Sequence, residues 1–253
     1  MDWASLTCFI YILARMSGFV LFNPILGRSN LNGMFKSGLV LMLSVTMYGM
    51  VEQTVAVPTM TIELALHILL ELMLGFLLGM VMQFFFYIPQ MAGFVIDMQL
   101  GLSMNQEYDP GSKANLSVNG TVLNTLMTLL FFAANGHHTL LRIILTSGEV
   151  VPLGAVSLGN EALSAALQLF CQCTVLAIKL SLPILAAELV GQVGMGVLMK
   201  VIPQINIFVI NIDLKVIIGL LLLLMLISPF SEFLLQIEAD MLDSLRDILL
   251  LVT

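Results

Sequence analysis

An all-α integral membrane protein is the fold class this sequence predicts, and three observations predict it. Of the 253 residues, 59% are apolar and 10% are charged. Soluble domains carry roughly 45–50% and about 25%. The mean hydropathy is +1.05, so there is too little charge to cover a water-facing surface, which excludes an ordinary soluble enzyme. The same composition excludes disorder, which needs few apolar residues and much charge. Finally, a helix that crosses a bilayer needs about 20 mostly apolar residues, and roughly six stretches at or near that length recur along the chain. Residues 1–253 read as a single integral membrane domain, with shorter, broken helices between the long ones.

In chain order, the apolar stretches are 7–22, interrupted by Arg15; 38–57, closed by Pro58; 64–88, carrying His67 and Glu71; 118–134; 162–189, containing Lys179, Pro183 and Glu188; and 216–229, almost pure Leu, Ile and Val. Three segments between them are too short for spans. Residues 90–103 carry Asp97, residues 138–145 carry Arg142, and residues 200–212 hold Pro203 with the amides Gln204, Asn206 and Asn211. Such segments read as re-entrant, interfacial or buried half-helices. The tail, 231–253, has Leu234, Ile237, Met241, Leu245, Ile248 and Leu249 at helical spacing. Glu238, Asp240, Asp243, Arg246 and Asp247 lie mostly on the other face, which predicts an amphipathic C-terminal helix. An acidic face disfavours anionic lipid and favours a protein neighbour.

Sixteen acids against nine bases give a net charge of −7, which argues against nucleic acid as a partner. With six spans, the odd-numbered loops hold Arg28, Lys36, Lys113, Lys200 and Lys215, and the other side only Arg142 and Arg246. The positive-inside rule then puts the N-terminus outside the cytoplasm. Asp2 stands where a secretory leader has its basic region. Cys8, Cys171 and Cys173 read as small packing residues. No metal-ligand spacing surrounds His137 and His138, which read as helix caps or interface contacts. No nucleophile elbow, paired carboxylate or nucleotide loop is recognisable, so the sequence predicts no catalytic residue, no cofactor and no metal.

Charges inside apolar segments cost about 2.5–3.5 kcal/mol on insertion scales, so they face a protein interior, a partner or water. Arg15 and Lys179, with long stems, read as snorkelling residues or as hydrogen-bond partners between subunits. Glu71, Asp97 and Glu188 cannot snorkel far; a structural role and a place on an ion or substrate path are both open to them, and Asp213 with Lys215 completes the set. Gly75 with Gly79, and Gly191, Gly194 and Gly196, read as sites of close helix approach. One polar loop separates two apolar segments and begins Met104, Asn105, Gln106, Glu107, Tyr108, Asp109, Pro110, Gly111. Asp-Pro-Gly is turn chemistry, and the loop is either a solvated connector or a segment lying inside a pore.

Two groups of short runs together carry a resemblance. The first is Gly101-Leu102-Ser103, Asp109-Pro110, Asn135-Gly136-His137-His138, Ser147 and Pro152-Leu153-Gly154. The second is Leu182-Pro183-Ile184, Gly194-Met195-Gly196, Lys200, Pro203-Gln204-Ile205-Asn206-Ile207-Phe208 and Asp213-Leu214-Lys215. In order, spacing and total length they resemble the FliR/SctT family of type III secretion export-gate proteins, over nearly the whole chain. The resemblance implies helical hairpins packed in a hetero-oligomeric export gate with FliP-like and FliQ-like membrane subunits, near FlhB-like and FlhA-like export proteins. It implies a place in the bacterial inner membrane, at the flagellar basal body, and a pore for unfolded export substrates, closed by a plug to which 104–111 correspond. Asn135, Gly136, His137, His138, Lys200, Pro203, Gln204, Asn206 and Phe208 would then serve subunit packing. Lys200 stands where many relatives have Arg, which keeps the charge and loses the bidentate fork. The closeness of the motif runs favours the flagellar branch over the injectisome branch.

The implied mechanism is a passive gate, opened by displacing the plug and neighbouring Met-rich constrictions. The chain has 18 methionines, whose flexible thioethers repack around varied side chains. The alternative is an ion-coupled secondary transporter using Glu71, Asp97 and Glu188 between broken helices, although no self-similarity between the halves supports it.

Overall fold

The computed structural model describes residues 3–28, 31–51, 58, 60–102, 117–157, 159–201 and 207–252, with backbone alone at 199 and 207–213. Among the described residues every regular element is an α-helix: α1 (Trp3–Phe22), α2 (Gly33–Met50), α3 (Thr61–Leu100), α4 (Val118–Ala133), α5 (Gly136–Leu145), α6 (Ser147–Val150), α7 (Asn160–Val201), α8 (Ile207–Met225) and α9 (Ile227–Leu251).

Each of the six apolar stretches falls on helix over most of its described residues, and the helix ends follow local chemistry. The helix α1 stops before Asn23-Pro24, because a residue preceding proline is pushed out of the helical region. The Asn23 side-chain oxygen then accepts from the Ile25 and Leu26 amides at 2.8 and 3.0 Å. Asn32 caps α2, and Ser117 caps α4 by accepting from Gly120 N at 2.8 Å. Gly101, at φ +79°, ends α3 as a left-handed C-terminal glycine. Asn135 adopts φ 59° ahead of α5, a conformation asparagine tolerates better than most residues.

Among the described residues, three helices are alone long and apolar enough to cross a membrane: Trp3–Phe22, Thr61–Leu100 and Asn160–Leu198. Counting Val118–Ala133 with Gly136–Val150, and Leu214–Met225 with Ile227–Leu251, as one bent span each makes up to five. The count differs from six because α2, though helical, carries Lys36, Ser37, Ser44 and Thr46 and does not reach span hydropathy. The expected half-helix over 90–103 is also absorbed: α3 runs through Pro89 without a break to Leu100. With no N–H and a ring against the preceding turn, proline weakens a helix locally but need not end it when neighbours hold both sides.

The chain divides into two compact units. The first comprises Met1–Phe85, Asn135–Cys171 and Glu238–Thr253. Its buried residues include Tyr11, Met16 and Phe19 of α1, Met47 of α2, Leu74 and Met82 of α3, and Ile144 of α5. In this unit α1 and α3 cross at a glycine contact. A Cβ on Gly75 would collide with the Arg15 carbonyl oxygen, and one on Gly18 with the Leu72 carbonyl oxygen. The second unit comprises Phe86–Ala134 and Gln172–Ile237. There α3 and α4 touch through Gly93 and Gly120, where an added Cβ on Gly93 would meet the Gly120 backbone. Phe86 packs edge-on to Phe131, with ring centroids 6.2 Å apart.

Candidate functional site

Two buried polar clusters stand out in this apolar chain, one in each unit. In the first unit, Arg15 and Glu71 are 1% and 0% exposed. Arg15 Nε donates to Glu71 Oε2 at 2.6 Å, its Nη1 to Ser147 Oγ at 3.2 Å and its Nη2 to the Val151 carbonyl at 3.1 Å. The other Glu71 oxygen, Oε1, accepts from Gly154 N at 2.8 Å. Both charges are thus enclosed by hydrogen bonds, the condition under which a buried ion pair is tolerated. The cluster ties α1 and α3 to α6 and to the turn at 151–154, whose Gly154 needs φ +80° and lies close to the Tyr11 ring. This corrects the expectation for Arg15, which neither snorkels nor waits for another subunit: it is spent inside its own chain. It also removes Glu71 as an open ligand for a coupling ion.

In the second unit, Asp97 and Asn119 are each 1% exposed. Asn119 Nδ2 donates to Asp97 Oδ1 at 2.5 Å, and the Asn119 backbone N–H reaches the same oxygen at 3.4 Å. Asp97 Oδ2 is buried and has no partner among the described residues. Glu188 on α7 is also buried, its Oε1 without a hydrogen-bond partner among the described residues, while the half-buried Lys215 on α8 acts on it electrostatically.

The remaining expected site residues are dispersed. Met104, Asn105, Gln106, Glu107, Tyr108, Asp109, Pro110 and Gly111 lie outside the described residues, as do Pro203, Gln204 and Asn206. Phe208 and Asp213 lie in α8, where only the backbone is described. Asn135 and Gly136 form the α5 entry without a side-chain cap bond, so the capping expected of this run is backbone work: Asn135 O accepts from His138 N at 3.0 Å. The rings of His137 and His138 lie 4.2 Å apart. Lys200 is exposed in the last turn of α7, and Lys179 is exposed midway along the same helix.

Two further expectations are corrected. Cys171 is exposed, whereas Cys8 and Cys173 are buried. Glu238 is 4% exposed instead of lying on the solvent face of α9, since it follows Ile237 directly and shares the edge of its buried stripe. Gly191, Gly194 and Gly196 have nothing within 4 Å of an added Cβ among the described residues, so the close helix approach read from them is not made there within the described part of this chain. Sequence reading missed the Gly18 and Gly93–Gly120 contacts and the role of Asn119. A visible signal existed in Asn119-Gly120, an amide and a glycine opening an apolar run.

Comparison with known proteins agrees with this picture of an apolar helical chain. Residues 6–241 match the bacterial export proteins, family 1. The chain is 29% identical over 237 residues to the flagellar biosynthetic protein FliR of Escherichia coli (strain K12), covering 92% of this chain and 90% of the relative. It is 31% identical over 182 residues to FliR of Pectobacterium carotovorum subsp. carotovorum, covering 71% and 69%. It is 26% identical over 221 residues to the Yop proteins translocation protein T of Yersinia pestis, covering 86% and 85%. These relatives are export proteins, not enzymes. With apolar helices long enough for a membrane and a family match over nearly its whole length, the chain belongs to the bacterial export proteins, family 1.

Proposed function

We propose that the chain is a core subunit of the flagellar type III protein export gate, in the bacterial inner membrane at the flagellar basal body. With FliP-like and FliQ-like membrane subunits it forms the pore through which unfolded flagellar subunits pass, and 104–111 contribute the plug. FlhB-like and FlhA-like proteins work beside it. Asn135, Gly136, His137, His138, Lys200, Pro203, Gln204, Asn206 and Phe208 serve packing between subunits. The chain forms a single membrane domain, with an amphipathic helix, α9, in its tail.

The observation that carries this reading is the length and exposure of the helices. The 40 residues of α3 and 42 of α7 amount to roughly 60 Å of helix each, about twice the hydrocarbon thickness of a bilayer. Both keep large apolar side chains exposed along much of that length, among them Leu66, Tyr87 and Met98 on α3 and Leu167, Leu182 and Val197 on α7. Lipid can cover only part of such a surface, and protein neighbours suit the rest. The open glycines at 191, 194 and 196 support the same view, because in membranes small residues let a partner helix come close.

Native mass spectrometry of this chain, co-expressed with its genomic neighbours and purified in mild detergent, tests the proposal. The expected result is a hetero-oligomer with one copy of this chain and several of two other membrane proteins. A stable monomer or homodimer overturns it. The plug assignment has its own test: deleting 104–115 makes the assembled gate leak ions, and unchanged permeability refutes it.

A further inference from the structure

In the first unit, α1 and α3 carry polar side chains at the same spacing. On α1 these are Thr7, Tyr11 and Arg15, and on α3 Glu63, His67 and Glu71, each about one helical turn from the next. Arg15 bonds Glu71 at 2.6 Å. One turn earlier on both helices, the Tyr11 ring faces the His67 ring with centroids 6.0 Å apart and planes at 57°. One turn earlier again, Thr7 turns back on its own helix, donating to the Trp3 carbonyl at 2.8 Å, and Glu63 is exposed in the first turn of α3. The polar seam therefore runs from a closed ion pair to a wet end. Its middle pair is the unusual one. Tyr11 is 1% exposed, and its Oη is buried without a hydrogen-bond partner among the described residues; the same is true of Nδ1 of the half-buried His67. The two atoms do not bond each other, and the Tyr11 ring is backed by Gly154, where an added Cβ would come within 3.1 Å of Tyr11 Cε2. Burying an unpaired hydroxyl is costly, and phenylalanine would fill the same place without that cost.

We propose that the α1–α3 seam is a binding site for a structural water molecule, which bridges Tyr11 Oη and His67 Nδ1. Water both donates and accepts, so it serves a phenol hydroxyl and either tautomer of an imidazole. Buried waters sit where two to four polar groups converge, and the two unpartnered atoms supply two. Other small ligands suit the place less well. A cation lacks a free carboxylate beside it, because both Glu71 oxygens are already taken, by Arg15 Nε and by Gly154 N. An anion is repelled, since the carboxylates of Glu71 and Glu63 both act electrostatically on Tyr11. The exposed Glu63 end of the seam gives water its way in. The bound water completes the seam: it satisfies the polar atoms next to the Arg15–Glu71 cluster, which apolar packing of the same helices would leave unpaired.

Two measurements on the full chain test this. The first is a double-mutant cycle of Tyr11→Phe and His67→Leu, read as the folded-to-unfolded ratio by limited proteolysis in mild detergent at increasing denaturant. Each single change is expected to lower the ratio by about tenfold, the size of one hydrogen bond. The double variant is expected to lose about as much as either single one, because both act on the same water. A Tyr11→Phe chain that is as stable as the unaltered protein, or more so, overturns the proposal, since the hydroxyl would then simply be unpaired. So does a double variant that loses the product of the two single effects. The second measurement is a density map of the unaltered chain, alone or with the subunits that purify with it, at a resolution that shows ordered water; it needs no variant and stands if His67→Leu fails to fold. A peak within about 2.7–3.2 Å of both Tyr11 Oη and His67 Nδ1 is expected. A map in which the two atoms bond directly, or in which other buried waters are visible and this one is not, overturns it.

Discussion

Replacing Glu71 by glutamine removes one charge and almost no volume, so it isolates what the buried ion pair contributes. Glu71 Oε2 receives Arg15 Nε at 2.6 Å and Oε1 receives Gly154 N at 2.8 Å. A glutamine can keep the bond to Gly154 with its carbonyl, but its NH2 then faces Arg15 Nε, donor against donor. Arg15 retains only Ser147 Oγ and the Val151 carbonyl, neither of which carries charge. Leaving one member of a buried pair uncompensated costs about 3–5 kcal/mol. That is a fall of roughly two to three and a half powers of ten in the folded-to-unfolded ratio, against a total stability of about 5–15 kcal/mol for a typical domain. Limited proteolysis in mild detergent, read as the fraction resistant at increasing denaturant, measures it. Arg15→Met combined with Glu71→Met removes both charges and should lose distinctly less than either single change, since apolar replacement of a whole pair is often neutral. A Glu71→Gln chain within about 1 kcal/mol of the unaltered protein, or a double variant worse than both singles, refutes the assignment of the pair as the centre of the first unit.

The glycines give two predictions of opposite sign for one chemical change. Gly75→Ala sets a methyl against the Arg15 carbonyl oxygen across the α1–α3 crossing, so it lowers accumulation of the chain in membranes, as immunoblotting will show. Gly194→Ala meets nothing within 4 Å in this chain and raises helix stability by about 1 kcal/mol. A fall in hetero-oligomer yield with the isolated chain unharmed then reports a partner helix at that spot. A maleimide added to the isolated chain in detergent labels Cys171 and spares Cys8 and Cys173, following their exposure; mass spectrometry of the digest decides, and labelling of Cys8 ahead of Cys171 contradicts the packing of α1.

The helices were legible in the sequence because an apolar run with no charge has one stable answer in a membrane. Over most of its described residues each of the six expected runs falls on helix, and the tail's buried stripe at Leu234, Ile237, Met241, Leu245, Ile248 and Leu249 matches its spacing. Boundaries set by tertiary neighbours were less legible. The sequence reads 90–103 as a separate half-helix, yet α3 continues through Pro89 to Leu100, with Ile88 and Ala92 on either side buried. Charge pairing was hidden for a similar reason: Arg15 and Glu71 lie 56 positions apart, and Ser147 and Gly154 join them from far down the chain. Glu71 and Asp97 could be recognised singly as too short to snorkel, but nothing local tells that one meets an arginine and the other an asparagine. The glycine contacts divide the same way. Gly75 and Gly79 share a four-residue spacing that marks a crossing, whereas Gly93 and Gly120 lie on different helices and show no pattern in either.

The two buried clusters differ in how they are satisfied among the described residues, and that difference sets what each contributes to stability. Around Arg15 and Glu71, each carboxylate oxygen has its own donor and each guanidinium nitrogen that bonds has its own acceptor. Opening such a cluster strands two charges at once, so it opens only when the unit unfolds. At Asp97 a single oxygen carries both donors and the other has none among the described residues, while α3 and α4 also touch through Gly93 and Gly120. Glu71→Gln is therefore expected to lower the fraction of folded chain more than Asp97→Asn does. Limited proteolysis of both variants in the same mild detergent measures the two losses side by side. If Asp97→Asn loses as much as Glu71→Gln, the two clusters do not differ in what they contribute to stability.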